Sequence, residues 1–171
     1  MSVTHIQQSI ENLTNYLSEH PDKCCHTDKA ATAVLEEGLR CRAEGPNGAT
    51  LVSDMPKTIG GGGSAPTPGW FLRAALATCD TTVIAMRAAQ LGVALTTLVV
   101  TVESESDDRG LLGMDNTIAA GPLSVRTRIR IGADGIAPER LREIVNWAQA
   151  HSPVANAIHR AVPSKTEVEI A

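Results

Sequence analysis

An α+β fold follows from the order in which two periodicities occur along this chain. Apolar and polar residues alternate from about 33 to 43, helical spacing runs from 67 to 91, alternation returns at 123–131, and helical spacing resumes at 138. Strands, one long helix, strands and then helices is the α+β order. With 171 residues and 43% hydrophobic content, the chain can bury a core as one compact domain and is short for two. Aromatic residues make up only 2%. Alanine, valine and leucine must therefore fill the interior, which favours close helix-on-sheet packing.

The first thirty residues form their own unit. Ile6, Ile10, Leu13 and Leu17 recur at helical spacing, Thr4 and Gln7 make a capping-box pattern, and Pro21 follows the end. Residues 1–30 are expected to be a helical appendage and 31–171 the main domain. From Ala33 the period is two. Ala33, Leu35, Leu39, Cys41 and Ala43 share one face, Glu36, Arg40, Arg42 and Glu44 the other, as in half-buried strands turning near Glu37-Gly38. Pro46-Asn47-Gly48 is a turn, and Thr50 to Ser53 returns as a hairpin partner.

Gly60 to Gly63 and Ser64 form a loop that lacks the Gly-Lys-Ser/Thr of a phosphate cradle, since Pro66-Thr67-Pro68 opens the next helix. Thr67 fits that helix's N-cap, Pro68 its first position and Gly92 its stop. Cys79 shares a stripe with Leu72, Ala75, Leu76, Val83 and Met86, so its spacing alone reads as a small buried hydrophobe. Asp80 points off that stripe and is expected to cap or to pair with an arginine.

Leu95 to Glu105 reads as a strand ended by Asp107-Asp108-Arg109-Gly110. Leu123, Val125, Thr127, Ile129 and Ile131 alternate with Ser124, Arg126, Arg128 and Arg130, a strand whose basic side is read as a solvated face. Pro138 to Gln149 is a helix, Ser152-Pro153 caps a shorter one, and Thr166 to Ile170 is expected to close as a strand.

The formal net charge of −4 argues against a nucleic-acid partner. No window holds 18 uncharged apolar residues, and the N-terminus lacks a basic region followed by an apolar stretch, so the expectation is a cytoplasmic protein with reduced thiols and no membrane partner. His20, Cys24, Cys25, His26 and Asp28 include metal-ligand types, but adjacent cysteines are poorly placed to share a tetrahedral ion and no second pair follows at zinc spacing. No metal and no cofactor are expected. Cys41 is expected in the core, and His151 and His159 at the surface.

The run Gly-Gly-Gly-Ser-Ala-Pro-Thr-Pro, the Ala-Ala-Leu-Ala-Thr-Cys helix ending in Gln90-Leu91-Gly92, the strand Leu39-Arg40-Cys41-Arg42 and the turn His151-Ser152-Pro153-Val154 together resemble the OsmC/Ohr family of peroxide-reducing proteins. The resemblance runs from about Ala33 to the C-terminus. It implies antiparallel sheets packed around a long central helix in an intertwined homodimer. It also implies two cysteines that reduce organic hydroperoxides near the subunit boundary. Cys79 matches the first. Ser152 stands where the second precedes a proline, and Gly69 stands where a glutamate normally holds an arginine.

By the same resemblance the catalytic set is Cys79, Arg40 and Ser152, with Arg42 as the alternative cation. A thiol with an ordinary pKa of about 8.5 is mostly protonated at neutral pH, so attack on an O–O bond needs a nearby cation that favours the thiolate. The resulting sulfenic acid needs a second thiol, which Ser152 cannot supply. An external thiol, or Cys24, Cys25 or Cys41, would have to do so. The two functions implied are a one-cysteine peroxidase acting on organic hydroperoxides or hydrogen peroxide with an external thiol reductant, and a non-catalytic protein that keeps the fold to bind a hydrophobic small molecule.

Overall fold

The computed structural model describes residues 2–171. They divide into two compact units, one of residues Ser9–Ala74 and one of Ala75–Ala171 with the residues before Ser9. Helix α1 (Val3–Glu19) starts where a hydroxyl can cap it. Ser2 Oγ accepts from the His5 amide at 3.2 Å, so the cap lies at Ser2 and not at the expected Thr4, which is inside the first turn.

In the Ser9–Ala74 unit, β1 (Thr32–Glu37), β2 (Arg40–Glu44) and β3 (Thr50–Ser53) form an antiparallel sheet with β2 in the middle. Val34 faces Arg42, and Arg42 faces Val52. Gly38 turns the first hairpin at φ +58°, a left-handed conformation that favours glycine. The register shifts between Leu35 and Glu37, which leaves Glu36 at a bulge. Strand β2 is half-buried as expected, but β1 is exposed on both faces, with Leu35 at 67%. Cys41 is half-buried, not in the core. On an edge strand exposed on both faces the alternating pattern persists without the burial.

Helix α2 (Pro68–Gln90) has the expected ends. Thr67 Oγ1 accepts from the Trp70 amide at 3.2 Å. At the other end Gly92, at φ +69°, lets Val93 donate to the Ala88 carbonyl at 2.9 Å and Gly92 to that of Ala89 at 3.0 Å, a Schellman stop. Its buried residues are Leu76, Asp80, Ile84, Ala88 and Ala89. The inward face therefore passes through Asp80, while Leu72, Ala75 and Met86 of the cysteine's stripe are exposed. In a helix this rich in alanine the spacing offers several faces, and packing selects among them.

The core of the Ala75–Ala171 unit is Ile84, Ala88, Val93, Ile144 and Ala148. Around it pack Leu98 and Val100 of β4 (Thr97–Glu105) and Ile129 and Ile131 of β5 (Ser124–Gly132), an antiparallel pair. The other face of β5 carries Arg126, Arg128 and Arg130, all exposed, and Arg128 pairs with Glu103 across the ladder. Asp107 caps the one-turn helix α3 (Asp108–Leu111) by accepting from the Arg109 amide. Helices α4 (Pro138–His151) and α5 (Pro153–His159) follow. Residues 160–171 have no regular structure, so the expected strand at Thr166 to Ile170 does not form. Five alternating residues make a strand only beside a ladder partner, and none pairs with them among the described residues.

Candidate functional site

Cys79 lies in the fourth turn of α2 and is half-buried. The junction of α4 and α5 brings Ser152 to it. Ser152 ends α4 and caps α5, accepting from the Ala155 amide at 3.4 Å, and its side chain is fully buried. Its hydroxyl donates to Cys79 Sγ at 3.3 Å. One O–H supplies one donor and two lone pairs, so Ser152 caps the helix and donates to the sulfur at once. His151 stacks on Trp147 with ring centroids 3.9 Å apart, and Arg87 covers the same indole at 4.4 Å.

Arg40 belongs to the other unit, where a connected polar network holds it. Glu36 accepts from Arg40 Nε at 3.0 Å and from Arg42 Nε at 2.9 Å, so one carboxylate bridges two guanidiniums. The bulge at Glu36 lies beside both arginines. Arg40 Nη1 also donates to Ser64 Oγ at 2.7 Å, and Ser64 Oγ in turn donates to Asp54 Oδ2 at 2.8 Å.

Asp54 is the hub of the glycine-rich loop. It is 2% exposed and accepts from the amides of Ser64 at 2.9 Å, Met55 at 2.7 Å and Gly62 at 3.3 Å. The Ser64 amide and hydroxyl, followed by the Met55 and Gly62 amides, hold its pKa down to about 2. The loop glycines are steric requirements of this wrapping. A Cβ on Gly61 would fall 1.9 Å from the Met55 carbonyl oxygen, and one on Gly62 2.9 Å from Asp54 Oδ2. Asp54 belongs to no periodic pattern or motif in the sequence. A single acid at a strand end, facing a run of glycines, was the available signal.

Asp80 differs from its expected role. It is 2% exposed, and its Oδ1 has no hydrogen-bond partner among the described residues, so it neither caps nor pairs with an arginine. Residue 80 is four positions from both Leu76 and Ile84, which places it on the inward face of α2. Gly69 sits in the first turn of α2, where an added Cβ would meet Arg73 Nη1 and Thr67 Oγ1 at an ordinary 3.9 Å. Cys24 and Cys25 are exposed, and His26 approaches Asp28 at 3.3 Å. No group of three or more metal-ligating side chains gathers among the described residues.

No described helix is long and apolar enough to cross a membrane. No curated protein matches the chain in sequence. Solved structures do resemble it. An OsmC-like protein from Mycoplasma pneumoniae superposes with a TM-score of 0.67 at 16% identity, over 80% of this chain and 91% of its own. An organic hydroperoxide resistance protein OsmC from Legionella pneumophila gives 0.57 at 22% identity, over 80% and 91%. The organic hydroperoxide resistance protein OhrB of Bacillus subtilis gives 0.52 at 16%, over 79% and 93%. At these identities the likeness establishes the fold. Residues 61–167, the span from the glycine-rich loop through the Cys79 helix and the Ser152 turn, match the model of the OsmC-like protein family, and the chain belongs to that family.

Proposed function

We propose that this protein is a one-cysteine thiol peroxidase that reduces organic hydroperoxides or hydrogen peroxide in defence against oxidative stress. The observation that carries the proposal is the Ser152 hydroxyl directed at Cys79 Sγ at 3.3 Å, a donor where a thiolate needs one. Structural likeness to hydroperoxide resistance proteins supports it. The Cys79 thiolate attacks the outer peroxide oxygen, an S–O bond forms, and the O–O bond breaks. The electron pair leaves on the alkoxide, which takes a proton from solvent, giving the alcohol and a Cys79 sulfenic acid. One external thiol condenses with the sulfenic acid and releases water, and a second reduces the mixed disulfide. Arg40 is the proposed cation, with Arg42 as its alternate. The Glu36 and Ser64 bonds that hold the Arg40 guanidinium fit that role.

The active form is proposed to be a homodimer. Val34, Leu35 and Leu51 of the three-stranded sheet and Leu39 of its first hairpin turn are exposed, and so are Trp70, Leu72 and Met86 along α2. The test of the catalytic reading uses cumene hydroperoxide in small excess, with sulfenic acid mapped by mass spectrometry and consumption followed with a monothiol and a dithiol. Label at Cys79 ahead of Cys24, Cys25 and Cys41, and turnover with either reductant that Cys79→Ser abolishes, is expected. Label at Cys24 or Cys25 while Cys79 stays reduced overturns the peroxidase. Absent turnover by an unlabelled Cys79 leaves the binding protein as the function.

A further inference from the structure

The buried carboxylate of Asp80 lies at a cavity that the peroxidase chemistry does not use. The cavity measures about 350 Å³ and lies within the Ala75–Ala171 unit, beside β5 and the ends of α4 and α5. Two features set it apart from an ordinary surface groove. Asp80 is almost wholly removed from water, and among the described residues no donor reaches its Oδ1, although a buried carboxyl oxygen requires one. A native fold retains such a group at a cost to its stability, which is a reason to look for its missing partner.

We propose that this cavity binds the primary ammonium group of a small aliphatic amine. An ammonium supplies an N–H donor to Oδ1, and its positive charge favours a carboxylate there, in one charge-assisted bond. Thr127 and Gln149 line the same cavity and carry a hydroxyl and an amide carbonyl that can accept the ammonium's remaining hydrogens. Leu76, Val125 and Ile158 supply apolar wall for a short alkyl chain. A divalent metal is a poor fit, because no group of three or more His, Cys, Asp or Glu side chains gathers among the described residues. His159 also lines the cavity, yet Oδ1 has no bond from it. A neutral alcohol offers a donor without the charge, and is the natural control. The size suits a ligand at the small end of the range for protein sites.

The probe is n-butylammonium chloride, titrated into the uniformly 15N-labelled full chain, with 1-butanol in parallel. Saturable amide shifts are expected along 76–84, 125–127 and 149–159, with 1-butanol at least about tenfold weaker. Asp80→Asn should weaken butylammonium binding at least about tenfold. Thr127→Val, which leaves Asp80 in place, should weaken binding severalfold and serves if Asp80→Asn does not fold. Equal binding of butylammonium and 1-butanol, no saturable shift, or undiminished binding by Asp80→Asn overturns the assignment. A fall in oligomer mass on Asp80→Asn also overturns it, since the carboxylate's partner would then be a side chain of a second copy of this chain.

Discussion

Ser152 places its one hydrogen on Cys79 Sγ and accepts the Ala155 amide, so its replacement tests both bonds. Ser152→Cys should cost about 1 kcal/mol of capping, because a thiol is a weaker acceptor than a hydroxyl. The introduced sulfur would stand within bonding reach of Cys79, and after one equivalent of peroxide it should condense with the Cys79 sulfenic acid to a disulfide, allowing turnover with a dithiol. Non-reducing peptide mapping checks this, and two separate oxidised thiols without a crosslink would contradict it. Asp54 makes a different demand. Each of its carboxylate oxygens accepts two donors, so in Asp54→Asn the amide NH₂ must face donors whichever way it turns. The folded pKa of about 2 lies below the ordinary 3.8, so the stabilisation is complete above 3.8 and is lost as pH falls toward 2. Urea midpoints should be lower for Asp54→Asn than for the native chain at neutral pH, and the gap should narrow between those two values. A constant gap across that range would remove Asp54 from the acid response.

Among the elements, α2 carries both Cys79 and the inward-facing Asp80. Its ends were legible from Thr67, Pro68 and Gly92, since caps are local chemistry. Gly69 is its weak point. Gly69→Glu removes a glycine from the first turn, adds an acid at the positive end of the dipole, and sets a carboxylate four residues before Arg73. Together these should stabilise the fold by about 1–2 kcal/mol and raise the melting temperature by roughly 2–8 °C. The family resemblance assigns a glutamate at this place to orienting Arg40. Here Glu36 and Ser64 already hold Arg40, and Arg73 competes for the new carboxylate. The rate of Cys79 oxidation in single turnover should therefore change by less than about threefold. A tenfold gain would show that position 69 still controls the arginine.

For the whole molecule, the exposed apolar residues of β1, β3 and α2 are the surface on which the proposed homodimer is tested. Light scattering at micromolar protein should return about twice the 18.0 kDa chain mass. A species at the single-chain mass would refute the homodimer. Val168 and Ile170 are exposed in a segment with no regular structure, although their alternating pattern suits a strand. In a dimer, hydrogen exchange should protect amides 166–170, which in an isolated chain would exchange as open backbone.

The sequence by itself determined what local chemistry and periodicity control: the caps of α2, the hairpin of β1 and β2, the existence of strands β4 and β5, the Ser152 cap and the family membership carried by the Cys79 motif. Tertiary structure alone decided which face of α2 is inward. Alanine on several sides leaves the helical period nearly neutral, and only packing against the core turned Asp80 in and left Cys79 half-buried. The same holds for Asp54. Its four donors come from residues 55, 62 and 64, and a loop's closure around a carboxylate leaves no periodic trace in the chain. Periodicity reports how often a side chain recurs on a face, whereas burial and hydrogen bonding depend on what the fold sets against that face.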